Sequence, residues 1–142
     1  MGGKFWLAVV VVFIVFGALQ FVVHGTLLSG WYDKTSNLWK PEDQMKSRML
    51  WHFISQLVFA FLFCLIYSKG FEPNKGHVGQ GLRYGIYMGL IVYLPLQISY
   101  YVVLNVPSGW FLAWQGFFNF LTVMISGIIL GSIYRPAPKS QM

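Results

Sequence analysis

The sequence predicts an all-α integral membrane protein, a four-helix antiparallel bundle with both termini cytoplasmic. Of its 142 residues, 56% are hydrophobic and only 10% are charged, whereas soluble domains carry roughly 25% charged residues. Four apolar runs are each long enough to cross the roughly 30 Å hydrocarbon core as a helix. We expect one membrane domain over residues 1–142. The net charge of +6 does not indicate nucleic acid, because the basic residues stand near the ends of the runs.

The first span is predicted over residues 5–28. Its apolar core is longer than the 7–15 residues of a signal peptide, so we expect an uncleaved helix. The segment from Ser29 to Lys40 is interpreted as a polar connection. Its aromatic residues Trp31, Tyr32 and Trp39 suit the headgroup layer.

The second helix is predicted to run without interruption from Pro41 to Tyr67, with its membrane span over about 47–68. Proline suits the first helical position because its missing N–H needs no partner there. Glu42 and Asp43 place negative charge in the first turn, where the helix dipole favours it.

The third and fourth spans are predicted over 81–104 and 110–134. A loop rich in glycine and proline, 69–80, precedes the third span and includes a solvated His77. Pro95 is expected to kink the third helix. A tight turn over 105–109 joins the two spans, and the tail 135–142 is expected to be loosely ordered.

Basic residues predict the orientation. The side that holds both termini would carry six of them, Lys4, Lys69, Lys75, Arg83, Arg135 and Lys139. The other side would carry four, Lys34, Lys40, Lys46 and Arg48. Because basic loops stay in the cytoplasm, the termini and the 69–80 loop are predicted there.

Glycines spaced by four residues mark the third and fourth spans. They are Gly81, Gly85, Gly89, Gly127 and Gly131. Small residues in a line let two helix backbones approach closely. We expect these glycines to pack the third helix on the fourth, while contact between subunits and a ligand against the bare backbone stay open.

The glycines lie toward the cytoplasmic end of the two helices, whereas polar side chains are concentrated in the outer half of the membrane. They are Gln20, His24, His52, Gln56, Gln97, Gln115 and Asn119. Three pairs have i, i+4 spacing, so each pair shares a helix face. Because polar groups are costly to expose to lipid, all seven are expected to turn inward and form a cluster in the outer half of the bundle.

Three interpretations of this cluster are open. It can be a hydrogen-bond network that fixes helix register. It can line a pocket for a small or lipid-like molecule, with amide donors and acceptors and aromatic walls. In the third interpretation His24 and His52 ligate a metal or haem, although two histidines without a nearby carboxylate are a weak metal signal.

Several function classes are disfavoured. No acidic or basic residue lies in the middle of a span, whereas ion-coupled transport commonly uses an intramembrane carboxylate. No nucleophile accompanies His24 or His52, so the sequence favours a non-enzymatic role. Cys64 is the single cysteine and is expected to be buried filler.

Three segments carry a resemblance: WYDKTSNLWKPEDQM, KGFEPNKGHVGQGLRYGIYMG and GIILGSIYRP. The sequence resembles a group of small bacterial inner-membrane proteins of unknown function. This resemblance implies a four-helix protein of the bacterial cytoplasmic membrane and transfers no activity and no functional residues.

The leading functional expectation is a non-enzymatic membrane protein that binds a lipid-like small molecule or a partner membrane protein through the polar cluster. A small oligomeric channel or transporter is the alternative, and a haem- or quinone-linked redox protein is the third. The expected partners are membrane lipids, with a homo-oligomer or a partner membrane protein left open. No cofactor is required by the leading expectation.

Overall fold

The computed structural model describes residues 2–106 and 108–134, and every regular element in those ranges is helical. The expected loose tail over 135–142 and the Pro107 position of the predicted turn lie outside the described residues. The longer elements are α1 (Gly3–Val22), α2 (Ser29–Lys34), α3 (Glu42–Ser47), α4 (Met49–Gly70), α5 (His77–Val103) and α6 (Gly109–Ile133).

Four helices are long and apolar enough to cross a membrane. They are Gly3–Leu27, Met49–Gly70, His77–Val103 and Gly109–Ile133, with lengths between 22 and 27 residues. Large apolar side chains such as Ile14, Phe21 and Val102 are exposed on their outer faces, as is usual where lipid replaces water. The structure therefore confirms a helical, multi-pass membrane architecture.

The second helix differs from its prediction. It was expected to continue from Pro41 to Tyr67, but the structure divides it at Arg48 (φ −107°, ψ 7°) into α3 and α4. Pro41 precedes the first turn of α3. Within α3, Lys46 forms an ion pair with Glu42 at 2.8 Å. The break falls where charged sequence meets apolar sequence, so the polar turn and the spanning helix take separate directions.

The polar connection after the first span is mostly helical. α2 and a short 3-10 turn, Ser36–Leu38, fill it. Thr35 is fully buried, donates a hydrogen bond to the Trp31 carbonyl at 2.8 Å and accepts one from the Trp39 indole at 3.0 Å. The rings of Trp31 and Trp39 lie against Phe111 near the start of α6. This connection therefore covers one end of the bundle.

α5 packs along α6 at a close backbone crossing. A Cβ atom added to Gly85 would lie 2.8 Å from the Cα of Met124, and one added to Gly127 would lie 2.8 Å from the Cα of Gly85. Gly81 faces Gly127 and Gly131, and Gly89 faces the ring of Phe120. The structure places all five predicted glycines on this crossing. α5 begins at His77, so the end of the predicted 69–80 loop, including His77, is helical.

α1 packs against both α4 and α6, and its contact with α4 is aromatic and aliphatic. Phe16 stacks on Phe59 at 4.4 Å between ring centroids, while Val12 and Cys64 are fully buried. At the end of α4 far from Arg48, Tyr84 of α5 donates a hydrogen bond to the Phe63 carbonyl at 2.6 Å. Large aromatic side chains therefore join α4 to α5 at that end.

Candidate functional site

A cavity of about 530 Å³ lies between α1, α4 and α5. This volume is within the roughly 300–1,000 Å³ of typical small-molecule sites. The wall is mainly apolar and includes five Phe and Tyr rings, and the polar groups of two helices lie on it together. Its lining residues are Phe16, Gly17, Gln20, Phe21, His24, Gly25, Met49, His52, Phe53, Ser55, Gln56, Phe59 and Tyr93.

The packing of α5 explains why the space exists. The bare glycine backbones draw α5 onto α6, and α5 meets α4 through large side chains at the Phe63 and Tyr84 end. At the other end, α5 contributes only Tyr93 to the wall of the cavity. The gap between α4 and α5 is therefore open there, and its mouth carries the exposed rings of Phe21 and Phe53.

His24 occupies a wide turn at the end of the first span. Residues Val23–Leu27 form a π turn, in which the Leu28 N–H donates to the Val23 carbonyl at 2.9 Å. The Thr26 hydroxyl donates back to the Val22 carbonyl. Such turns insert one extra residue into a helix and re-aim its side chains. Here the turn places His24 within reach of both α2 and α6.

His24 belongs to a hydrogen-bonded chain that crosses three elements. The Gln115 amide donates to the Tyr32 hydroxyl at 3.0 Å, and that hydroxyl lies 2.5 Å from His24 Nδ1. His24 Nε2 lies 3.2 Å from the Asn119 Oδ1 atom. Since Asn119 Oδ1 can only accept, Nε2 carries a proton. A neutral His24 then accepts from Tyr32, and the chain of hydrogen bonds runs from Gln115 through Tyr32 and His24 to Asn119.

Two further polar pairs lie on the cavity wall. The Gln20 amide donates to the Tyr93 hydroxyl at 3.3 Å. The Gln56 amide lies 2.9 Å from His52 Nε2, one turn back along α4. The Oε1 atom of Gln20 is buried and has no hydrogen-bond partner among the described residues.

Gln97 stands apart from the other predicted residues. Its side chain lies against Gly116, where an added Cβ would approach the Gln97 Cγ to 2.7 Å. It lines a separate, apolar space of about 290 Å³ between α5 and α6. The Oε1 atoms of Gln97 and Gln115 are also buried without a partner in the described part of the chain. The structure thus brings Gln20, His24, His52 and Gln56 to one cavity, joins Gln115 and Asn119 to it through His24, and leaves Gln97 outside.

The two weak metal candidates have different surroundings. Both ring nitrogens of His24 have hydrogen-bond partners, and Nε2 of His52 has one. Residues 2–106 and 108–134 contain no group of three or more His, Cys, Asp or Glu side chains placed to hold a metal ion. The described side chains therefore make a poor fit for a metal centre.

Tyr32 and Tyr93 are the polar residues that the sequence analysis missed. Tyr32 was placed in the headgroup layer, but burial raises the pKa of its phenol, partly opposed by the hydrogen bond from Gln115. Tyr93 precedes Gln97 by four residues, the same spacing that identified the other pairs. That spacing could have found Tyr93. The position of Tyr32 depends on the π turn, for which the sequence has no clear signal.

No family model, curated protein or solved structure matches the chain. The cavity and the side chains that line it are therefore the observations that bear on function.

Proposed function

We propose that the protein is a non-enzymatic multi-pass membrane protein that binds a lipid-like small molecule in the cavity between α1, α4 and α5. The observation that carries this proposal is the joint occurrence of aromatic walls and several polar groups on one space of about 530 Å³. A hydrogen-bond network that only fixes helix register needs no open space, whereas Gln20, His52 and Gln56 line this one.

The apolar part of the ligand fits the aromatic wall. Phe16 and Phe59 stack at the back of the cavity, and Phe21 and Phe53 stand at its mouth with exposed fractions of 74% and 51%. In a bilayer these two rings would contact acyl chains. A lipid-like molecule can therefore move from the bilayer into the cavity without passing through water.

The polar part of the ligand meets hydrogen-bond donors and acceptors on Gln20 and His52. The Gln20 side chain lines the cavity, and its amide carries both a donor and an acceptor. With Nε2 of His52 accepting from Gln56, the neutral His52 ring carries its proton on Nδ1 and donates from there. A head group with both a donor and an acceptor, such as a hydroxyl or an acid, would use both. Such polar contacts fix the orientation of a ligand in a mainly apolar pocket.

Native mass spectrometry from mild detergent tests this proposal, because it detects retained ligands together with subunits. We expect wild-type protein to carry a lipid-like adduct and the Gly17→Leu variant to lose it. Gly17 lines the cavity, so an added leucine side chain would take up space there, with its Cβ 3.0 Å from the Oε1 atom of the buried Gln56.

Gly3→Leu is the matched control. It makes the same change in the same helix, at a position with no heavy atom within 4 Å of the added Cβ. Equal retention of lipid by Gly17→Leu and Gly3→Leu, in variants of equal thermal stability, would contradict the cavity as the binding site. An adduct with the mass of a second chain or of another protein would favour a partner membrane protein instead.

We further propose that the four spans form an antiparallel bundle in a bacterial cytoplasmic membrane, with both termini in the cytoplasm. From Gly81 to Gln97 the contacts of α5 run from Gly131 back to Gly116 on α6, which supports opposite directions for this pair. The six-to-four distribution of basic residues supports the orientation, although two of the six, Arg135 and Lys139, lie outside the described residues.

A further inference from the structure

A smaller cavity of about 350 Å³ adjoins the proposed ligand site. It is lined by Lys40, Met45, Arg48, Met49 and His52. Met49 and His52 also line the larger cavity. The two spaces therefore share these two side chains as lining, and a molecule that occupied both would pass beside them.

The smaller cavity has positive charge without a matching acid. Lys40 and Arg48 are its two charged residues, and within the described ranges neither forms an ion pair. Neighbouring lysines are engaged elsewhere: Lys46 pairs with Glu42 at 2.8 Å, and the ammonium of Lys34 lies 5.5 Å from the ring centre of Trp31. Lys40 and Arg48 are therefore available to an anion.

The opposite end of the bundle provides a contrast. A cavity there is lined by Lys75 and Arg83, but it also contains Glu72, which pairs with Lys75 at 2.6 Å. An acidic residue thus offsets part of its positive charge. Of these two cavities, the one beside His52 combines two cations, no lining acid and side chains shared with the proposed ligand site.

We infer that the ligand is an acidic amphiphile whose phosphate or carboxylate head lies between Lys40 and Arg48 while its hydrocarbon chain lies in the larger cavity. This inference rests on the proposed function and names the class of ligand. His52, at the junction, is positioned to donate a hydrogen bond to the polar linkage between head and chain.

The position of the two cations favours a membrane lipid as the source of the acid. Arg48 immediately precedes Met49, the first residue of the spanning helix α4, so it marks the boundary between headgroup layer and hydrocarbon. Juxtamembrane Lys and Arg residues attract the acidic head groups of anionic lipids. A free phosphate would use the two cations but would leave the aromatic cavity empty.

The test compares three probes on the full chain in neutral detergent: monododecyl phosphate, dodecanol and inorganic phosphate. We expect monododecyl phosphate to bind more tightly than dodecanol, since only the former has an acidic head. Lys40→Gln combined with Arg48→Gln should lower the affinity for monododecyl phosphate about 30-fold, which corresponds to about 2 kcal/mol for the two cations. The affinity for dodecanol should not change.

Lys34→Gln combined with Lys46→Gln is the matched control. It removes the same net charge from the same stretch of chain but touches neither cavity. We expect it to change the affinity for monododecyl phosphate less than threefold. If the Arg48 change prevents folding, Lys40→Gln alone should still lower the affinity for monododecyl phosphate about fivefold.

The outcomes separate the two proposals. Equal binding of dodecanol and monododecyl phosphate, with no difference between the two double variants, would overturn the acidic head and leave the lipid-like ligand standing. Binding of neither amphiphile would overturn the proposed function itself. Displacement of monododecyl phosphate by an equal concentration of inorganic phosphate would identify a free anion as the ligand and contradict the membrane source.

Discussion

Replacing Tyr32 with phenylalanine removes a single oxygen atom from the centre of the polar chain. That oxygen accepts a hydrogen bond from the Gln115 amide at 3.0 Å and lies 2.5 Å from His24 Nδ1. The ring itself packs against Phe111, with centroids 5.6 Å apart, and phenylalanine preserves this contact. The variant therefore isolates the two hydrogen bonds from the packing.

The expected loss of stability follows from the hydrogen bonds that Gln115 and His24 no longer make. Hydrogen bonds between membrane helices contribute roughly 0.6 kcal/mol each on average, so two lost bonds give at least about 1 kcal/mol. Gln115 is buried, and its Oε1 atom already lacks a partner among the described residues. An unsatisfied buried donor costs about 1–3 kcal/mol. We expect the free energy of unfolding to fall by about 1–3 kcal/mol.

Unfolding in mixed micelles, followed by tryptophan fluorescence, measures this change. Tyr101→Phe is the control, because the Tyr101 side chain is 66% exposed and its hydroxyl forms no hydrogen bond within the described residues. A Tyr32→Phe variant as stable as Tyr101→Phe would refute the polar chain. A double-mutant cycle with His24→Leu should show a coupling of about 1 kcal/mol, whereas independent effects would mean that the two side chains do not interact.

The same side chain predicts a pH dependence. Burial raises the pKa of Tyr32 above its usual value of 10.0, so the folded state holds the phenolic proton more tightly than the unfolded state. Its contribution to stability is complete below pH 10 and is lost as the pH rises through the folded-state pKa. Wild-type protein should therefore lose more stability than Tyr32→Phe above pH 10. Parallel curves would contradict the burial of this hydroxyl.

Three other predictions test the packing, the cavity and the orientation. Gly85→Leu should lower the free energy of unfolding by at least about 1–3 kcal/mol, because the added Cβ would lie 2.8 Å from the Cα of Met124, a backbone atom that cannot move aside easily. Wild-type stability of this variant would mean that the crossing does not form. Cysteines at Gln20 and Gln56 should react with a short crosslinker, since both residues line the same cavity, and failure in a folded protein would mean that the two faces do not meet. A reporter fused after Met142 should be active only if it functions in the cytoplasm, and activity of a periplasmic reporter there would reverse the proposed orientation.

The number and type of the spanning helices could be predicted from the sequence because apolar length alone decides whether a helix can cross a bilayer. The helix ends were harder to predict. No proline or glycine stands at Arg48, yet α3 and α4 separate there. The segment Ser29–Lys34 is polar and short but becomes helical where its aromatic side chains can pack on Phe111. The helical form of Ser29–Lys34 depends on tertiary contacts rather than on local preference alone.

The i, i+4 spacing located most of the polar residues that the structure brings together, because two residues four apart share a helix face. It could not show that Gln97 faces the α5–α6 contact instead of the cavity, since that depends on the rotation of α5 about its axis. Nor could it assign Lys40 and Arg48 to a cavity. In the sequence these two residues served only to predict orientation, and their place on the smaller cavity beside Met49 and His52 depends on how the segment before α4 folds.

Photo-crosslinking in membranes tests the central claim most directly. A dodecyl phosphate that carries a photoreactive group in its chain would be incorporated into vesicles with the protein, and the labelled residues identified by mass spectrometry. We expect labelling of Phe53 and Phe59 on the cavity wall, and we expect excess unlabelled monododecyl phosphate to suppress it. Labelling of Ile91 and Ile98, which are 67% and 59% exposed on α5, should not be suppressed. Equal and unsaturable labelling at all four positions would show ordinary contact with the bilayer and contradict a ligand site in the cavity.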